Sequence, residues 1–148
     1  MTNPHVILLS VLQIQERELP LAAGKDITPG MFLEFAGTTS NTVQPHSSDS
    51  AIPSPVIIAN VAPWRLGQGI EDQFDEDGEV IPFHHCQKGD QVYALLAAGE
   101  QVDSFADRLQ SNGDGTLKIG TTHAFVRPLE LVDNSAGYEA VRIKVEVL

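Results

Sequence analysis

The first residues that could do chemistry stand together in the stretch FHHCQ. His84, His85 and Cys86 are of types that commonly bind zinc. Neighbouring residues on a strand point to opposite faces, however, and a structural zinc site usually takes four protein ligands. The chain has one cysteine, so further ligands would have to converge from His5, His46 and His123. We therefore expect no metal site, no cofactor and no internal disulfide.

The second group is acidic and lies in DQFDEDGE. An EF-hand calcium loop places acidic residues at alternating positions, a glycine at the sixth position and a glutamate at the twelfth. Counted from Asp72, the sixth residue is Asp77 and the twelfth is Phe83, so this frame fails. A looser calcium site is the alternative to a solvated turn. We expect the turn, because Asp-Gly pairs favour type I′ hairpins, in which both central residues have positive φ.

The sequence shows no motif for nucleophilic or phosphoryl chemistry. Its serines in TTS and SSDS lie in a small, polar stretch, and GKDIT lacks the upstream glycine of a phosphate-binding loop. Paired carboxylates for glycoside hydrolysis meet in space rather than in sequence. With 6% aromatic residues, few side chains could line a sugar groove. We expect that the protein is not an enzyme.

Length and charge narrow the class of protein. A chain of 148 residues is the length of one domain. Nine basic against 20 acidic residues give a net charge of −11, which argues against nucleic-acid binding and suits a partner with a basic patch. The apolar run from Val6 to Leu12 is too short to span a membrane, and no basic segment precedes it. We expect a protein without a membrane partner, made in a reducing cytoplasm.

The elements that must position these residues are mainly strands. VIIANVAPW predicts a strand from Val56 to Val61, and GYEAVRIKVEVL alternates apolar and charged residues in the manner of a half-buried strand. Glycines at intervals of about ten residues predict several short strands between them. DSFADRLQ could form about two turns of helix, capped by Asp103 or Ser104. The fold class is mainly β, a small antiparallel barrel or sandwich with an extended N-terminal arm and at most one or two short helices.

The expected organisation has an arm and one domain. Residues 1–18 form an N-terminal arm or edge strand, and residues 19–148 form a single β-rich domain in which residues 36–55 are a long polar loop. Trp64, the one tryptophan, is either a core side chain or, beside Arg65, an interface anchor. We favour the core for Trp64, and we retain both residues as interface candidates.

Three segments in order resemble the capsid decoration, or cement, proteins of tailed bacteriophages. They are ELPLAAGKDITPGMFLEF, KGDQVYALLAAGEQVDSFADRLQSNGDGTLKIG and DNSAGYEAVRIKVEVL. The resemblance covers residues 19–35 and 87–148, and its motifs are mostly turn motifs. The matching positions are Ala23-Gly24, Pro29-Gly30, Gly89-Asp90, Ala98-Gly99, Gly113-Asp114-Gly115 and the strand from Arg142 to Leu148. SFADRL departs from the KGD–L turn of that group, and residues 36–86 match nothing in it.

The resemblance implies a structural protein of the virion. Members of the group are not enzymes. They are made in the bacterial host and bind the outer surface of the phage head, often as homotrimers at threefold and quasi-threefold positions. There they clamp adjacent major capsid proteins against the pressure of packaged DNA. The partners implied are therefore the major capsid protein and copies of the chain itself.

For this chain, the resemblance gives the apolar N-terminal run a role as an arm, and Trp64 beside Arg65 remains an interface candidate for its residue types. We expect residues 1–18 to pair with the capsid or with a neighbouring subunit, and deletion of this arm to abolish attachment without unfolding the domain. The candidate interface residues are Val6, Ile7, Leu8, Leu9, Trp64 and Arg65. The alternatives are a carbohydrate-binding or adhesion module on the virion surface, which clustered exposed aromatic residues would favour, and a small hydrolase with a scattered site.

Overall fold

The computed structural model describes residues 6–39 and 41–148, and this part of the chain is built from strands. It contains 13 strands and no helix, which confirms the mainly β class. The strands are β1 (Leu8–Ser10), β2 (Glu16–Pro20), β3 (Phe32–Ala36), β4 (Thr42–Pro45), β5 (Ile57–Ala59), β6 (Val80–His85), β7 (Gln91–Leu96), β8 (Gln101–Val102), β9 (Leu109–Ser111), β10 (Leu117–Ile119), β11 (Val126–Pro128), β12 (Val132–Asp133) and β13 (Val141–Val147).

Five strands of the C-terminal half close into a barrel. Their order is β7-β10-β9-β11-β13, and β13 pairs back onto β7 along a continuous ladder from Val141↔Leu96 to Glu146↔Gln91. The alternation expected for β13 is present, since Ile143, Val145 and Val147 are buried in the core. β1 lies beside the first half of β7, and the short ribbon of β8 and β12 adds a separate two-stranded sheet. We call this unit the C-terminal barrel.

The other five strands form a second, less complete barrel. Their order is β2-β6-β5-β3-β4, and the two edge strands approach each other at one parallel bridge, Leu21↔Val43. A hydrogen bond from Ala22 N–H to Val43 O, at 2.9 Å, supports that bridge. We call this unit the open barrel, because beyond the bridge β2 and β4 do not pair.

The two units share a wall formed by β3 and β5. Phe32 and Ile58 are buried in the core of the C-terminal barrel, whereas Leu33, Ile57 and Ala59 are buried in the core of the open barrel. Consecutive strand residues point to opposite faces, so a strand between two cores must be apolar on both. This explains why the segment VIIA is continuously apolar rather than alternating.

The NGDG turn lies between the two units. The N–H of Gly115 donates to the carbonyl of His46, which follows β4, and the carbonyl of Gly115 accepts the N–H of Phe32, the first residue of β3. The turn is therefore hydrogen-bonded to the open barrel at both strands. Gly115 has φ +88°, and a Cβ on it would lie 3.0 Å from Pro45 and 3.1 Å from Met31. The turn therefore serves as a joint, and glycine is required there by both conformation and space.

Two local predictions are wrong. No helix forms in DSFADRLQ, because Asp107 Oδ2 accepts the N–H groups of Asp103 and Ser104 in a turn, and β9 begins at Leu109. Asp77-Gly78 is not a type I′ turn, since Gly78 has φ +79° but no described residue other than glycine has positive φ. In the described chain, the segment before Asp77-Gly78 contributes the isolated bridge Ile27↔Phe74 instead of a strand that pairs with β6.

The segments predicted to be an arm and a long loop both contain strands. β1 lies within residues 1–18, and β2 begins there. These strands pair with β7 and β6 of the same chain. The stretch 36–55 contains β4. In the described residues, no helix has the length and apolar character needed to cross a membrane.

Candidate functional site

The apolar residues near the N-terminus divide between surface and core. Val6 is exposed, whereas Ile7 is fully buried in the C-terminal barrel, and Leu8 and Leu9 pack partly against the same core. The carbonyl of Ile7 accepts the N–H of Tyr93 at 2.8 Å. Removal of residues 1–18 would therefore take away a core side chain and an edge strand, and the domain would lose stability. His5 lies outside the described residues.

Trp64 is not a core side chain. It lies in the Trp64 loop, defined as residues 63–68 between β5 and β6, and 48% of it is exposed. Leu66, two residues later, is 91% exposed. The expectation of a core position is wrong, because the core of the open barrel is filled at this end by Phe74 and Ala62 instead. The loop presents two large apolar side chains to solvent.

Arg65 fixes this loop from beneath. Its guanidinium lies 4.0 Å from the centre of the Phe74 ring and donates to the carbonyls of Asp72 and Gln73. Glu79 lies 3.7 Å away as an ion-pair partner. Arg65 is therefore committed to the protein itself, and its contribution to any interface is to hold Trp64 and Leu66 in place.

The surroundings of the Trp64 loop are strongly acidic. A shallow cavity of about 420 Å³ beside Arg65 is lined largely by carboxylates, namely Asp72, Asp75, Glu76 and Glu79. Within the described part of the chain, no group of three or more histidine, cysteine or acidic residues is arranged to hold a metal ion. This surface combines exposed apolar side chains with negative charge, which suits a partner that carries a basic rim.

His84, one of the residues singled out in the sequence, forms a buried pair with Asp90. His84 is fully buried, and its Nε2 lies 3.0 Å from Asp90 Oδ2, while its Nδ1 accepts Gln15 N–H at 3.2 Å. Asp90 also accepts the N–H groups of Gln87 and Leu12. The pair joins β6, the turn before β7 and the connection from β1 to β2, so it ties the two barrels together.

The environment of these groups suits a structural role. Burial raises the pKa of Asp90, but the hydrogen bonds from Gln87, His84 and Leu12 outweigh it and lower the pKa below its ordinary 3.8. Burial, with the nearby Asp90 charge, strongly raises the pKa of the Cys86 thiol, so a thiolate nucleophile is disfavoured. The buried His84–Asp90 pair is saturated with internal partners. These contacts describe a structural joint.

Arg142 forms a second contact between the two barrels, and no sequence pattern indicated this role. Arg142, on β13, donates to the carbonyls of Pro29 and Ile70 and pairs with Glu71 at 3.2 Å. Its side chain is nearly buried. A guanidinium that holds two carbonyls from other segments links the C-terminal barrel to the open barrel. Nothing in the alternation of β13 distinguishes Arg142 from its neighbours, so its role needed the tertiary structure.

The mouth of the open barrel holds a cavity of about 400 Å³. Its floor contains Phe35 and Phe83, with ring centres 6.1 Å apart, and its polar residues include Arg17 and His85. His85 Nε2 is buried and has no hydrogen-bond partner among residues 6–39 and 41–148. Burial, then the charges of Arg17 and His84, lower the pKa of His85, which favours the neutral ring.

Comparison with known proteins shows a likeness to a solved structure. No protein-family model matches the chain, and no curated protein matches it. Among solved structures, it is similar to the head fiber gp8.5 N base of bacteriophage phi29, with 12% sequence identity and a TM-score of 0.58. The likeness covers 90% of this chain and 95% of that chain. It therefore extends over nearly the whole arrangement of strands, and at this identity it shows a common fold.

Proposed function

We propose that this protein is a structural component of a phage virion that binds the outer surface of the head and clamps adjacent major capsid proteins. The observation that carries the proposal is the fold, which over 90% of the chain is similar to the base of a phage head fiber. The resemblance of residues 19–35 and 87–148 to capsid decoration proteins supports it independently, because it rests on sequence motifs rather than on strand arrangement.

A clamp must be rigid, and the joints between the two barrels supply that rigidity. β3 and β5 share their side chains between both cores, Arg142 holds carbonyls of the open barrel, and the His84–Asp90 pair is buried at the seam. Interfaces within one chain often allow relative motion unless they are large and apolar. Here the shared wall makes the two barrels one packed body, which can transmit a load between neighbouring capsid subunits.

The Trp64 loop is the surface that we propose docks on the major capsid protein. Large aromatic side chains in rigid loops lose little conformational entropy on binding, and tryptophan is enriched among residues that dominate interface energies. The acidic residues around the loop would attract a basic rim on the capsid and favour the correct orientation. A homotrimer at the threefold positions would repeat this contact, and linked contacts raise avidity by about 10² to 10⁴.

The test is co-sedimentation of the purified protein with heads of its phage from which it has been stripped. We expect saturable binding, with a stoichiometry that is a multiple of the threefold and quasi-threefold positions. Stabilisation is measured on the same samples as the temperature at which heads release DNA, with and without the protein. Binding without a change in release temperature would support attachment and contradict the clamp.

Two matched variants separate the docking surface from nonspecific apolar adhesion. Trp64→Ala should weaken head binding at least about tenfold, the size typical of an interface hot spot. Tyr138→Ala is the control, since Tyr138 is 97% exposed and lies on the C-terminal barrel. Equal loss in both variants would contradict a specific role for the Trp64 loop.

Failure of the wild-type protein to bind stripped heads would favour the adhesion module. Phe35, Trp64, Phe105 and Tyr138 are exposed aromatic residues on four separate segments, and a glycan screen would then show whether any of them binds sugar.

A further inference from the structure

The hydrogen bonds around β2 fix the direction in which its backbone groups point. Leu21 N–H donates to Glu79 O, and Gln15 O accepts from His85 N–H. The backbone N–H and C=O groups of the odd-numbered residues therefore point towards β6. Ala22 N–H donates to Val43 O, so even-numbered residues face the opposite side. Within β2, Glu16 and Glu18 therefore direct their N–H and C=O groups away from β6.

That side of β2 is an open strand edge. Among the described residues, the order of the sheet gives β2 a single strand partner, β6, and the only link to β4 is the bridge at Leu21. Pro20, at the base of the edge, has no N–H to donate. Proteins protect open edges with proline and charged residues, and ERELP carries both. Such protection disfavours indiscriminate pairing, but it leaves room for a strand of complementary sequence.

A cleft beside this edge could receive one face of an added strand. The cavity of about 400 Å³ lies between β2 and the start of β4, with Phe35 and Phe83 beneath it. Side chains of a strand alternate between two faces, so a strand paired with Glu16 and Glu18 would turn every second side chain into the cleft. The volume accommodates one or two side chains.

The charge of the cleft selects the side chain. Arg17 is exposed at its wall, and His85 beside it has a buried Nε2 without a partner in the described chain. Glu18 at the rim is the one carboxylate among the lining residues. A carboxylate from an incoming strand would pair with Arg17 and supply hydrogen-bonding capacity close to His85. Arg17 is the one permanently charged cation among the lining residues, and it is the group that an acidic side chain of the incoming strand would contact.

We propose that the open edge of β2 binds an extended segment of the major capsid protein by strand addition, with an aspartate or glutamate side chain turned into the cleft. This inference rests on the proposed function for the identity of the partner. The partner is a different polypeptide rather than a second copy, because the edge that a second copy would offer is ERELP itself, whose proline and glutamates disfavour edge-to-edge pairing. Main-chain hydrogen bonds would give affinity, and the cleft would give specificity.

Glu18→Pro is the decisive variant for this inference. It removes one outward N–H and leaves the bonds of Arg17 and Leu19 to β6 in place. We expect it to raise the dissociation constant for stripped heads about tenfold, because a partner carbonyl is left unpaired. Glu18→Ala is the matched control, since it removes the same carboxylate but keeps the N–H, so the effect of the lost N–H is read as the ratio of the dissociation constants of Glu18→Pro and Glu18→Ala. Arg17→Gln should weaken binding in the same direction as Glu18→Pro.

Hydrogen exchange on the wild-type protein gives a second readout. In the free protein, the amides of Glu16 and Glu18 should exchange faster than those of Arg17 and Leu19, which face β6. On heads, exchange at Glu16 and Glu18 should slow at least about tenfold if a strand pairs there.

The outcomes separate this inference from the proposed function. If the wild type binds heads but Glu18→Pro binds equally well and exchange at Glu16 and Glu18 is unchanged, strand addition is overturned and head binding stands. If the wild type does not bind, both are overturned. If Glu18→Pro instead dissociates an oligomer of the free protein, the occupant is a second copy and the assignment to the capsid protein is overturned.

Discussion

The two barrels are made from the same number of strands but are closed in different ways. In the C-terminal barrel, β13 and β7 pair along six residue positions, from Val141↔Leu96 to Glu146↔Gln91. In the open barrel, the corresponding closure is the single bridge Leu21↔Val43. The first arrangement satisfies backbone groups inside the fold, whereas the second leaves an edge of β2 unpaired.

This difference indicates a division of roles. A closed barrel removes strand edges and is stabilised by its own core. The open barrel relies on the shared wall of β3 and β5 for part of its burial, and its open edge, its cleft and the Trp64 loop face outward. We infer that the C-terminal barrel supplies most of the stability and that the open barrel supplies the binding surfaces.

The largest expected effect is a cavity in the closed barrel. Leu96 is fully buried, so Leu96→Ala should lower the free energy of unfolding by about 2–5 kcal/mol, through lost burial and the cavity left behind. Leu19 is partly buried beside the open edge, so Leu19→Ala should lower the free energy of unfolding by less than about 2 kcal/mol. Urea unfolding of both variants measures the difference. Equal losses would contradict the unequal contribution of the two barrels.

The next effect concerns the contact between the barrels at Gly30. A Cβ on Gly30 would overlap Arg142 Nη1 and lie 2.8 Å from the backbone oxygen of Tyr93, and the φ of Gly30 is +97°. Gly30→Ala should therefore lower stability by more than about 2 kcal/mol. Gly24→Ala is the control, because Gly24 has φ +73° with open space around it and should show only the conformational cost of about 1–2 kcal/mol. Equal thermal melting curves would show that Arg142 does not lock this contact.

A pH-dependent effect is expected at the buried His84–Asp90 pair. The folded pKa of Asp90 is below its ordinary 3.8, so its contribution to stability is present above pH 3.8 and is lost as pH falls through the lower folded value. Asp90→Asn should cost about 1–3 kcal/mol near pH 7, since charged hydrogen bonds are lost.

Unfolding measured from pH 7 to pH 2 tests the sign. The wild-type advantage over Asp90→Asn should shrink only below pH 3.8. An advantage that shrinks between pH 7 and pH 5 instead would mean that another group controls it.

The smallest expected effect tests the open edge itself. Glu18→Pro should change the free energy of unfolding by less than about 0.5 kcal/mol, because its N–H faces away from β6. Leu19→Pro should cost about 3 kcal/mol, since the N–H of Leu19 faces β6 and the hydrogen bond to that strand is lost. Chemical denaturation of the pair gives the contrast. Similar losses in both variants would show that the β2 edge is not open.

Part of this architecture was readable from local patterns. The alternation VRIKVEV predicts a strand with one buried face, and the apolar run VIIA predicts another, since both patterns depend on side-chain period and burial. The candidate site was less predictable. The sequence alone allowed either a core or a surface position for Trp64. It gave no indication that Arg65, next to it, stacks on Phe74. Such contacts join residues from different loops, and no local pattern encodes them.

By itself, the sequence determined a mainly β chain with tight glycine turns and a strongly negative net charge, because composition, period and turn residues act locally. Only the tertiary structure decided that Ile7 enters the core and that the NGDG turn and Arg142 join the barrels. It also decided that β2 keeps an open edge. Pairing partners, closure and exposure depend on contacts between residues far apart in the chain, and these exist only once the barrels have packed together.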